Sequence, residues 1–269
     1  MKNVLSVAGS DSGGGAGIQA DLKTMCALGV YGMTAITAVT AQNTQAVYEV
    51  QEIDASAVAA QIRAVFADIR VDAVKTGMVS NAPVIRAVRD SLLRFGARNV
   101  VVDPVMVSKS GYPLLRREAV GVMHELVAIA DVVTPNIPEA ELLAGFPIRD
   151  EDDLRRAAEK IASSGAKSVL IKGGHRFGSD AADVLLTAGR FVRIEGERLD
   201  AAHTHGTGCT LSAAIACRFA LGDSAEEAAR AAKAYVTQAI RDAYDLGHGT
   251  GPVGHLAALY RRAGVGTGE

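Results

Sequence analysis

The sequence has no tryptophan, and aromatic residues make up only 4% of its 269 residues. Proteins that bind nucleic acid commonly stack bases on aromatic side chains or carry clustered basic residues. This chain has a formal net charge of −2, and its basic residues are dispersed along the sequence. The composition therefore argues against a nucleic-acid partner.

Cysteine is scarce as well, since Cys26, Cys209 and Cys217 are too few and too scattered for a disulfide framework or a zinc site. Free thiols of this kind are typical of a reducing compartment. Long apolar runs are also missing: none reaches the length of a membrane-crossing helix, and the run at residues 4–8 is too short for a secretory signal. We therefore expect a cytoplasmic protein with no membrane partner.

Two common nucleotide-binding motifs are absent. The sequence has no G-x-x-x-x-G-K-[ST] segment, which disfavours an ATPase of the P-loop class. A glycine-rich segment at residues 13–17 follows the first predicted strand, but it does not match G-x-G-x-x-G, and no acidic residue ends the second predicted strand. A nicotinamide-dependent oxidoreductase is therefore disfavoured, and a flexible loop on the substrate side is the better interpretation of residues 13–17.

Short β-rich runs alternate with longer runs of helical period through most of the chain. This alternation predicts a three-layer α/β/α fold with a mostly parallel central sheet. We expect one domain over residues 1–269, with a flexible tail at residues 263–269. Strands are predicted at residues 4–8, 34–40, 73–76, 99–102, 132–134 and 168–171, a small edge hairpin at 182–187 and 190–194, and helices at 19–28, 55–69, 82–95, 114–129, 152–163, 210–221, 225–244 and 254–263.

Polar residues follow six of the predicted strands at the points where these strands end. In open α/β sheets, ligands bind outside the carboxyl ends of parallel strands. We therefore expect these polar segments to meet at one edge of the sheet and to form the functional site. They are residues 10–17, 42–43, 75–78, 103–106, 136–139 and 172–175.

The most distinctive segment is His-Thr-His-Gly-Thr-Gly-Cys-Thr at residues 203–210, which leads into an apolar run of small residues. The run predicts a helix, so the backbone N–H groups of residues 206–209 are expected at its N-terminus. A helix N-terminus carries roughly half a positive charge and several unpaired N–H groups, and it binds anions such as phosphate. The same field lowers the pKa of a thiol, so we expect an activated Cys209 beside a phosphate group.

Several charged residues at the strand ends have both a functional and a structural interpretation. Asp103 and Glu139 suit Mg²⁺, which prefers one or two protein oxygens together with water and phosphate, yet Glu139 is equally typical of a first helical turn. Lys172 is a candidate for a nucleotide phosphate, although a lysine at the end of a strand, such as Lys75, is more often solvated. The histidines show no metal-binding spacing, so no zinc site is expected.

Together these segments resemble the ribokinase-like superfamily, and more narrowly the bacterial hydroxymethylpyrimidine and phosphomethylpyrimidine kinases of thiamine biosynthesis. The resemblance covers nearly the whole chain and rests on a combination of motifs, since a glycine loop alone would not be specific. The motifs lie at residues 8–23, 38–44, 103–106, 134–139, 172–175, 204–210 and 249–252.

The resemblance implies a reaction, its ligands and a role for individual residues. ATP and Mg²⁺ would be used to phosphorylate 4-amino-5-hydroxymethyl-2-methylpyrimidine, and then its monophosphate, in a homodimer. Gln42 matches the side chain that binds the aminopyrimidine, because an amide offers a donor and an acceptor side by side. The other implied residues are Cys209, Gly206, Thr207 and Gly208 for catalysis, Asp21, Ala16, Met78 and Val105 for the acceptor, Asn136, Lys172 and Thr204 for the nucleotide, and Glu139 and Asp103 for the metal ion.

Phosphoryl transfer has a loose transition state, so we expect positioning and charge neutralisation to dominate and Cys209 to be a modest base. Closure of residues 13–17 and of the segment at 109–111 would exclude water. His203 and His248 depart from the family pattern, in which asparagine and lysine are expected, and this affects local nucleotide contacts. The nearest alternative is a vitamin B6 kinase acting on pyridoxal or pyridoxine, followed by a nucleotide-sensing protein without activity.

Overall fold

The computed structural model describes residues 1–107, 111–173 and 182–265, apart from the side chain of Arg117. The expectations for residues 109–110, 174–175 and 266–269 lie outside the described residues. None of the helices in the described ranges combines the length and the apolar character that a membrane crossing requires.

A central sheet organises the described part of the chain, and its strands are β1 (Asn3–Asp11), β2 (Tyr31–Gln42), β3 (Val47–Glu52), β4 (Ala73–Thr76), β5 (Val100–Val102), β6 (Val132–Val133), β7 (Ser168–Ile171), β8 (Asp183–Thr187) and β9 (Arg190–Ile194). Their order across the sheet is β3-β2-β1-β4-β5-β6-β7-β8-β9. The strands from β2 to β7 in this order run parallel. β3, β8 and β9 are antiparallel to their neighbours, which confirms a mostly parallel sheet with an edge hairpin.

Helices cover both faces of the sheet, and within the described residues they are α1 (Gly17–Ala27), α2 (Ala55–Asp68), α3 (Ala82–Arg94), α4 (Val120–Val127), α5 (Ile137–Ala144), α6 (Glu151–Ala162), α7 (Thr207–Leu221), α8 (Ala225–Arg241) and α9 (Ala257–Arg262). Side chains alternate between the two faces of a strand. In β5, Val100 and Val102 pack into the apolar cluster shared with α2 to α6, whereas Val101 packs into the cluster shared with α7 and α8. The three-layer α/β/α architecture is therefore confirmed.

Three elements differ from the prediction. α5 was not among the predicted helices. β3 is missing from the prediction, because this edge strand is short and mostly exposed and its apolar pattern is correspondingly weak. It returns along β2 through a turn in which the Asn43 side chain accepts hydrogen bonds from the backbone N–H groups of Gln45 and Ala46. The helix predicted at residues 114–129 begins only at Val120, because the backbone N–H of Leu114 donates to the carbonyl oxygen of Met106 instead.

Candidate active site

A cavity of about 800 Å³ lies at the carboxyl ends of the parallel strands. It is lined by residues from each of the six polar segments and by the N-terminus of α7. Asp21 is the one predicted site residue that does not line it. The predicted residues that do are Ala16, Gln42, Met78, Asp103, Val105, Asn136, Glu139, Lys172, Thr204, Gly206, Thr207, Gly208 and Cys209.

The turn before α7 presents backbone N–H groups to this cavity. Gly206 has a left-handed conformation, with φ of 82° and ψ of 2°, and α7 begins at the next residue. The N–H groups of the first helical turn have no partner within the helix. Those of Gly208 and Cys209 have no acceptor among the residues that the structure describes. This is the anion-binding geometry that the sequence predicted.

The same turn touches the glycine-rich loop at residues 13–17. A Cβ atom at Gly206 would lie 1.8 Å from the carbonyl oxygen of Gly15, so the two backbones are closer than any side chain allows. A Cβ at Gly15 would in turn lie 2.3 Å from Cδ2 of the His205 ring. Both positions therefore require glycine, and they place the loop directly against the turn before α7.

Asp11 holds the glycine-rich loop in place. Its carboxylate accepts hydrogen bonds from the backbone N–H groups of Gly13, Gly15 and Ala16 at 2.8, 3.1 and 2.8 Å. The Lys23 ammonium also donates to the Gly14 carbonyl oxygen at 2.7 Å. These bonds favour a fixed loop over the flexible lid suggested by the glycine content.

Cys209 lines the cavity with a partly exposed side chain, but the expected activation of its thiol is wrong. Burial raises the pKa of the Cys209 thiol to about 11. The nearby Lys75 ammonium and a hydrogen bond from the Gly17 N–H both act to lower this pKa, and they do not outweigh the loss of solvent. At neutral pH the thiol is therefore protonated.

Asp21 and Lys75 form an ion pair beneath the cavity, and both side chains have 0% exposure. The ammonium of Lys75 donates to both carboxylate oxygens of Asp21, at 3.0 and 2.8 Å, and Ser6 donates to the same carboxylate at 2.5 Å. Burial alone would lower the pKa of Lys75, but the Asp21 carboxylate raises it above its usual range. The direct acceptor contact expected of Asp21 and the solvated position expected of Lys75 are therefore both wrong.

Asp103 and Lys172, which both line the cavity, form a second ion pair, with 3.0 Å between Nζ of Lys172 and Oδ1 of Asp103. Thr134 and Ser212 donate to the same carboxylate at 3.2 and 3.1 Å. Although burial opposes it, Lys172 lowers the pKa of Asp103, so this carboxylate is ionised. A Cβ atom at Gly208 would lie 3.5 Å from the Lys172 Nζ, which puts this ammonium beside the anion-binding turn.

Glu139 combines the two interpretations that its sequence position left open. It forms a capping box at the start of α5, in which Glu139 and Asn136 each accept the other's backbone N–H, at 2.8 and 2.9 Å. Its side chain also lines the cavity. Burial raises the pKa of Glu139 to about 7, with Asp103 acting in the same direction against Lys172.

The acidic pair fits a magnesium ion that is bound together with phosphate. The described residues contain no cluster of three or more metal-binding side chains, which disfavours a metal site built by protein alone. Mg²⁺ needs only one or two carboxylates when phosphates and water complete its shell. Burial is the main cause of the raised pKa of Glu139, and a divalent cation beside the carboxylate would favour its ionised form.

An apolar wall of the cavity was not predicted. It comes from α7, from α8 and from the segment before the anion-binding turn, so its residues are distant in sequence and carry no motif. Such a wall suits the flat face of a nucleotide base. Its residues are Leu199, Ala201, Leu211, Val236 and Ile240.

His203 and His248 do not line the cavity. Nδ1 of His203 accepts the backbone N–H of Gly251 at 3.0 Å, so this side chain orders the loop before α9. His248 is exposed. In this structure, the two departures from the expected pattern lie outside the cavity wall.

The fold is that of small-molecule kinases of the ribokinase-like type. A Staphylococcus aureus pyridoxal kinase, solved in complex with AMP-PCP and pyridoxal, superposes on this chain with a TM-score of 0.87. The two sequences are 34% identical, and the match covers 96% of this chain and 94% of that chain.

The sequence comparisons define a narrower family than the similarity of fold does. The phosphomethylpyrimidine kinase family model matches residues 11–254. A Rhizobium meliloti hydroxymethylpyrimidine/phosphomethylpyrimidine kinase is 53% identical over 256 residues, which is 94% of this chain and 96% of that protein. A Geobacter sulfurreducens thiamine biosynthesis bifunctional protein is 51% identical over 95% of this chain, which spans about half (52%) of that longer protein. This chain belongs to the phosphomethylpyrimidine kinase family.

Replacing Gly206 by alanine is expected to disable the anion-binding turn. The new Cβ would collide with the Gly15 carbonyl oxygen, so the turn and the glycine-rich loop must separate. We expect kcat/KM to fall by about 10² or more, the loss typical of removing an anion-hole donor. Steady-state kinetics with the acceptor alcohol and ATP measures it.

Gly222→Ala is the matched control for this prediction. Gly222 ends the same helix with φ of 107°, and a Cβ there meets nothing within 4 Å. Both variants carry the strain of a left-handed alanine, about 1–3 kcal/mol, but only Gly206→Ala displaces the loop. Equal activity of the two variants would contradict this account of the turn.

Replacing Lys75 by methionine is expected to destabilise the protein by about 3–5 kcal/mol, because the Asp21 carboxylate is left buried without its partner. The control is Lys167→Met, since Lys167 pairs with Asp131 at the surface and is 77% exposed; it should cost less than about 1 kcal/mol. Urea unfolding measures both. The prediction fails if the two variants are equally stable.

Proposed function

We propose that this chain transfers the γ-phosphoryl group of ATP to 4-amino-5-hydroxymethyl-2-methylpyrimidine, and then to the resulting monophosphate, in thiamine biosynthesis. The observation that carries the proposal is the meeting of the open N–H groups of Gly208 and Cys209, the Lys172 ammonium and Gln42 in one cavity. Membership of the phosphomethylpyrimidine kinase family supports the same substrate class.

ATP is the proposed phosphoryl donor. AMP-PCP, an analogue of ATP, is bound in the related pyridoxal kinase. In this chain, the apolar wall suits the base, and Asn136, Lys172 and Thr204 line the same cavity, where they would hold the phosphates. Lys172 contributes a charge that stabilises the phosphoryl group as negative charge develops on it.

Mg²⁺ is the proposed metal ion, and Glu139 and Asp103 are the residues that would hold it. When bound, it would neutralise the charge of the phosphates during transfer. The chain's own part is to keep the two carboxylates in place: the α5 capping box orients Glu139, and Thr134, Ser212 and Lys172 orient Asp103.

The acceptor would lie between Gln42 and the glycine-rich loop. Gln42 offers the amide donor and acceptor for the aminopyrimidine edge, while Ala16, Met78 and Val105 supply apolar surface for the ring. This arrangement leaves the hydroxymethyl group at the turn that carries Cys209.

Cys209 is proposed to receive the alcohol proton, as a modest base. With a pKa of about 11, only roughly 10⁻⁴ of the thiol is ionised at pH 7. A loose transition state demands little proton removal before the phosphoryl group has largely moved. The backbone N–H groups and Lys172 therefore carry more of the catalysis than the sulfur does.

We also propose that the chain forms the homodimer implied by its family. β3 is an edge strand of the sheet, and Tyr48 and Val39 are exposed near this edge. An unpaired strand edge with apolar side chains is suited to cover by a second copy.

Pyridoxal phosphorylation is the second candidate, favoured by the structural similarity to a pyridoxal kinase. An assay with ATP, Mg²⁺ and separate acceptors compares the aminopyrimidine alcohol, its monophosphate and pyridoxal. We expect kcat/KM for the aminopyrimidine alcohol to exceed that for pyridoxal at least about tenfold, because Gln42 has two hydrogen-bonding groups to satisfy. A better rate with pyridoxal, or no phosphorylated product from either pyrimidine, would overturn the proposal.

Replacement of Cys209 by alanine should lower kcat by about 10² or less, at the lower end of general-base effects, while KM for ATP stays unchanged. Cys26→Ala is the control, since Cys26 is an exposed thiol on α1, and it should keep full activity. Complete loss of turnover in Cys209→Ala, with intact folding and substrate binding, would contradict the modest role.

A further inference from the structure

Hydrogen bonds join the glycine-rich loop to Gln42 through the ring of His205, and the chemistry proposed above does not use them. Nε2 of His205 lies 2.9 Å from Oδ2 of Asp11 and 3.3 Å from the nitrogen of the Gln42 amide. The His205 and Asp11 side chains are largely buried, at 14% and 4% exposure. The backbone of His205 is also held in place, because its backbone N–H donates to the Gly251 carbonyl oxygen at 3.0 Å.

The proton on His205 follows from the partners of Asp11. Burial favours the protonated carboxyl, but the hydrogen bond and charge of His205 and the N–H groups of Ala16 and Gly13 lower the pKa of Asp11. Asp11 is therefore an ionised carboxylate, which can only accept hydrogen bonds. Consequently Nε2 of His205 must carry the hydrogen of the 2.9 Å bond, in the neutral and in the charged ring alike.

A protonated Nε2 on His205 decides which end of the Gln42 amide faces it. Two N–H donors do not bond to each other, so the oxygen end is turned toward the ring, where at 3.3 Å it shares the single Nε2 hydrogen with Asp11 in a three-centre bond. A half-turn of the amide exchanges its two ends. The NH₂ group then faces Thr40, whose Oγ1 lies 3.1 Å from the amide end now beside it. Thr40 can accept there, because its own hydrogen is donated to the Ser10 carbonyl oxygen at 3.0 Å.

We propose that His205, held by Asp11, is a positioning residue that fixes the Gln42 amide with its oxygen on the His205 side and its NH₂ on the Thr40 side. The proposal rests on the proposed function in one respect, the use of Gln42 to bind an aminopyrimidine. In this orientation each end of the amide keeps one free position, a lone pair on the oxygen and a hydrogen on the nitrogen, for a ligand in the cavity.

The fixed order of acceptor and donor sets the direction of the substrate ring. The 4-amino group must pair with the Gln42 oxygen and the adjacent ring nitrogen with the Gln42 NH₂. In the substrate, the carbon that bears the hydroxymethyl group lies on the other side of the amino-bearing carbon from that nitrogen. His205 directly precedes Gly206, so the amino group on the His205 side brings the hydroxymethyl group toward the turn and Cys209. The reversed amide would turn the reacting group away.

A 4-oxo analogue of the acceptor substrate tests directly the order of hydrogen-bond acceptor and donor on the Gln42 amide. Replacement of the 4-amino group by a carbonyl, with a hydrogen on the neighbouring ring nitrogen, exchanges donor and acceptor along the ring edge. The fixed amide then opposes two like groups, and a site built for hydrogen bonds rejects such a ligand strongly. A Gln42 that can turn freely would tolerate both acceptors.

The test compares His205→Leu, which removes the ring donor, with His205→Gln, whose side-chain NH₂ can occupy the place of Nε2. For each, kcat/KM is measured with the 4-amino and the 4-oxo acceptor, together with KM for ATP. We expect His205→Leu to lower the preference for the 4-amino acceptor at least about tenfold, the worth of one buried hydrogen bond, with KM for ATP changed less than about twofold. His205→Gln should restore most of the preference.

Three results would overturn the proposal. One is an unchanged preference in His205→Leu, and another is a failure of His205→Gln to restore any of a lost preference. The third is a parallel loss for both acceptors and for ATP, which would mean a general structural role. In the background of Gln42→Leu, the change His205→Leu should have no further effect on acceptor preference, because His205 acts through Gln42.

A measurement without turnover separates this inference from the proposed function. Two-bond ¹⁵N–¹H correlation spectra of the ligand-free protein report which ring nitrogens of His205 carry hydrogen. We expect Nε2 to be protonated, and Asp11→Asn to shift the His205 signals while the signals of exposed His248 stay in place. A ring protonated at Nδ1 alone would overturn the positioning role. If the aminopyrimidine proves not to be a substrate, the spectra still decide the orientation of Gln42.

Discussion

The approach of the Gly206 backbone to the Gly15 carbonyl oxygen is the constraint on which the site depends. It holds two segments that are almost two hundred residues apart in sequence at a distance that excludes any side chain. One segment supplies N–H groups at the start of α7, and the other supplies the wall beside the acceptor. In the proposed reaction, their contact would define both the place of the transferred phosphoryl group and the direction from which an alcohol can reach it.

Around this contact, the protonation state of each ionisable group is set by its surroundings. Lys75 and Lys172 keep their charge although buried, because Asp21 and Asp103 accompany them. Cys209 has only N–H groups and a more distant ammonium, and burial keeps it neutral. The site thus stabilises negative charge with permanent donors, which cost no reorganisation when the phosphoryl group moves.

The three-layer fold, the strand ends that form the site and the anion-binding turn were predictable from sequence, because they follow from local period and from glycine placement. β3 was not predictable, since an exposed edge strand has little apolar alternation.

The burial of Asp21 and Lys75 could not be predicted either, because they lie 54 residues apart and only the packing of α1 against the sheet pairs them. The pKa of the Cys209 thiol was predicted from its place at a helix N-terminus alone. The larger effect on this pKa is the loss of solvent, which depends on tertiary packing. His205 and Asp11 lie within recognised motifs, yet the bond between them joins residues 194 positions apart and could not be predicted from either motif.

The pairing of Lys172 with Asp103 has a consequence for how the nucleotide enters. A lysine on an open surface gathers dissolved anions, which an arriving phosphate must release, and affinity then falls steeply with added salt. Here the counter-ion is part of the protein, and it is neither diluted nor concentrated by the medium. In the proposed arrangement, a phosphate at Lys172 would share the ammonium with the Asp103 carboxylate, so nucleotide affinity would depend little on the ionic strength of the cell.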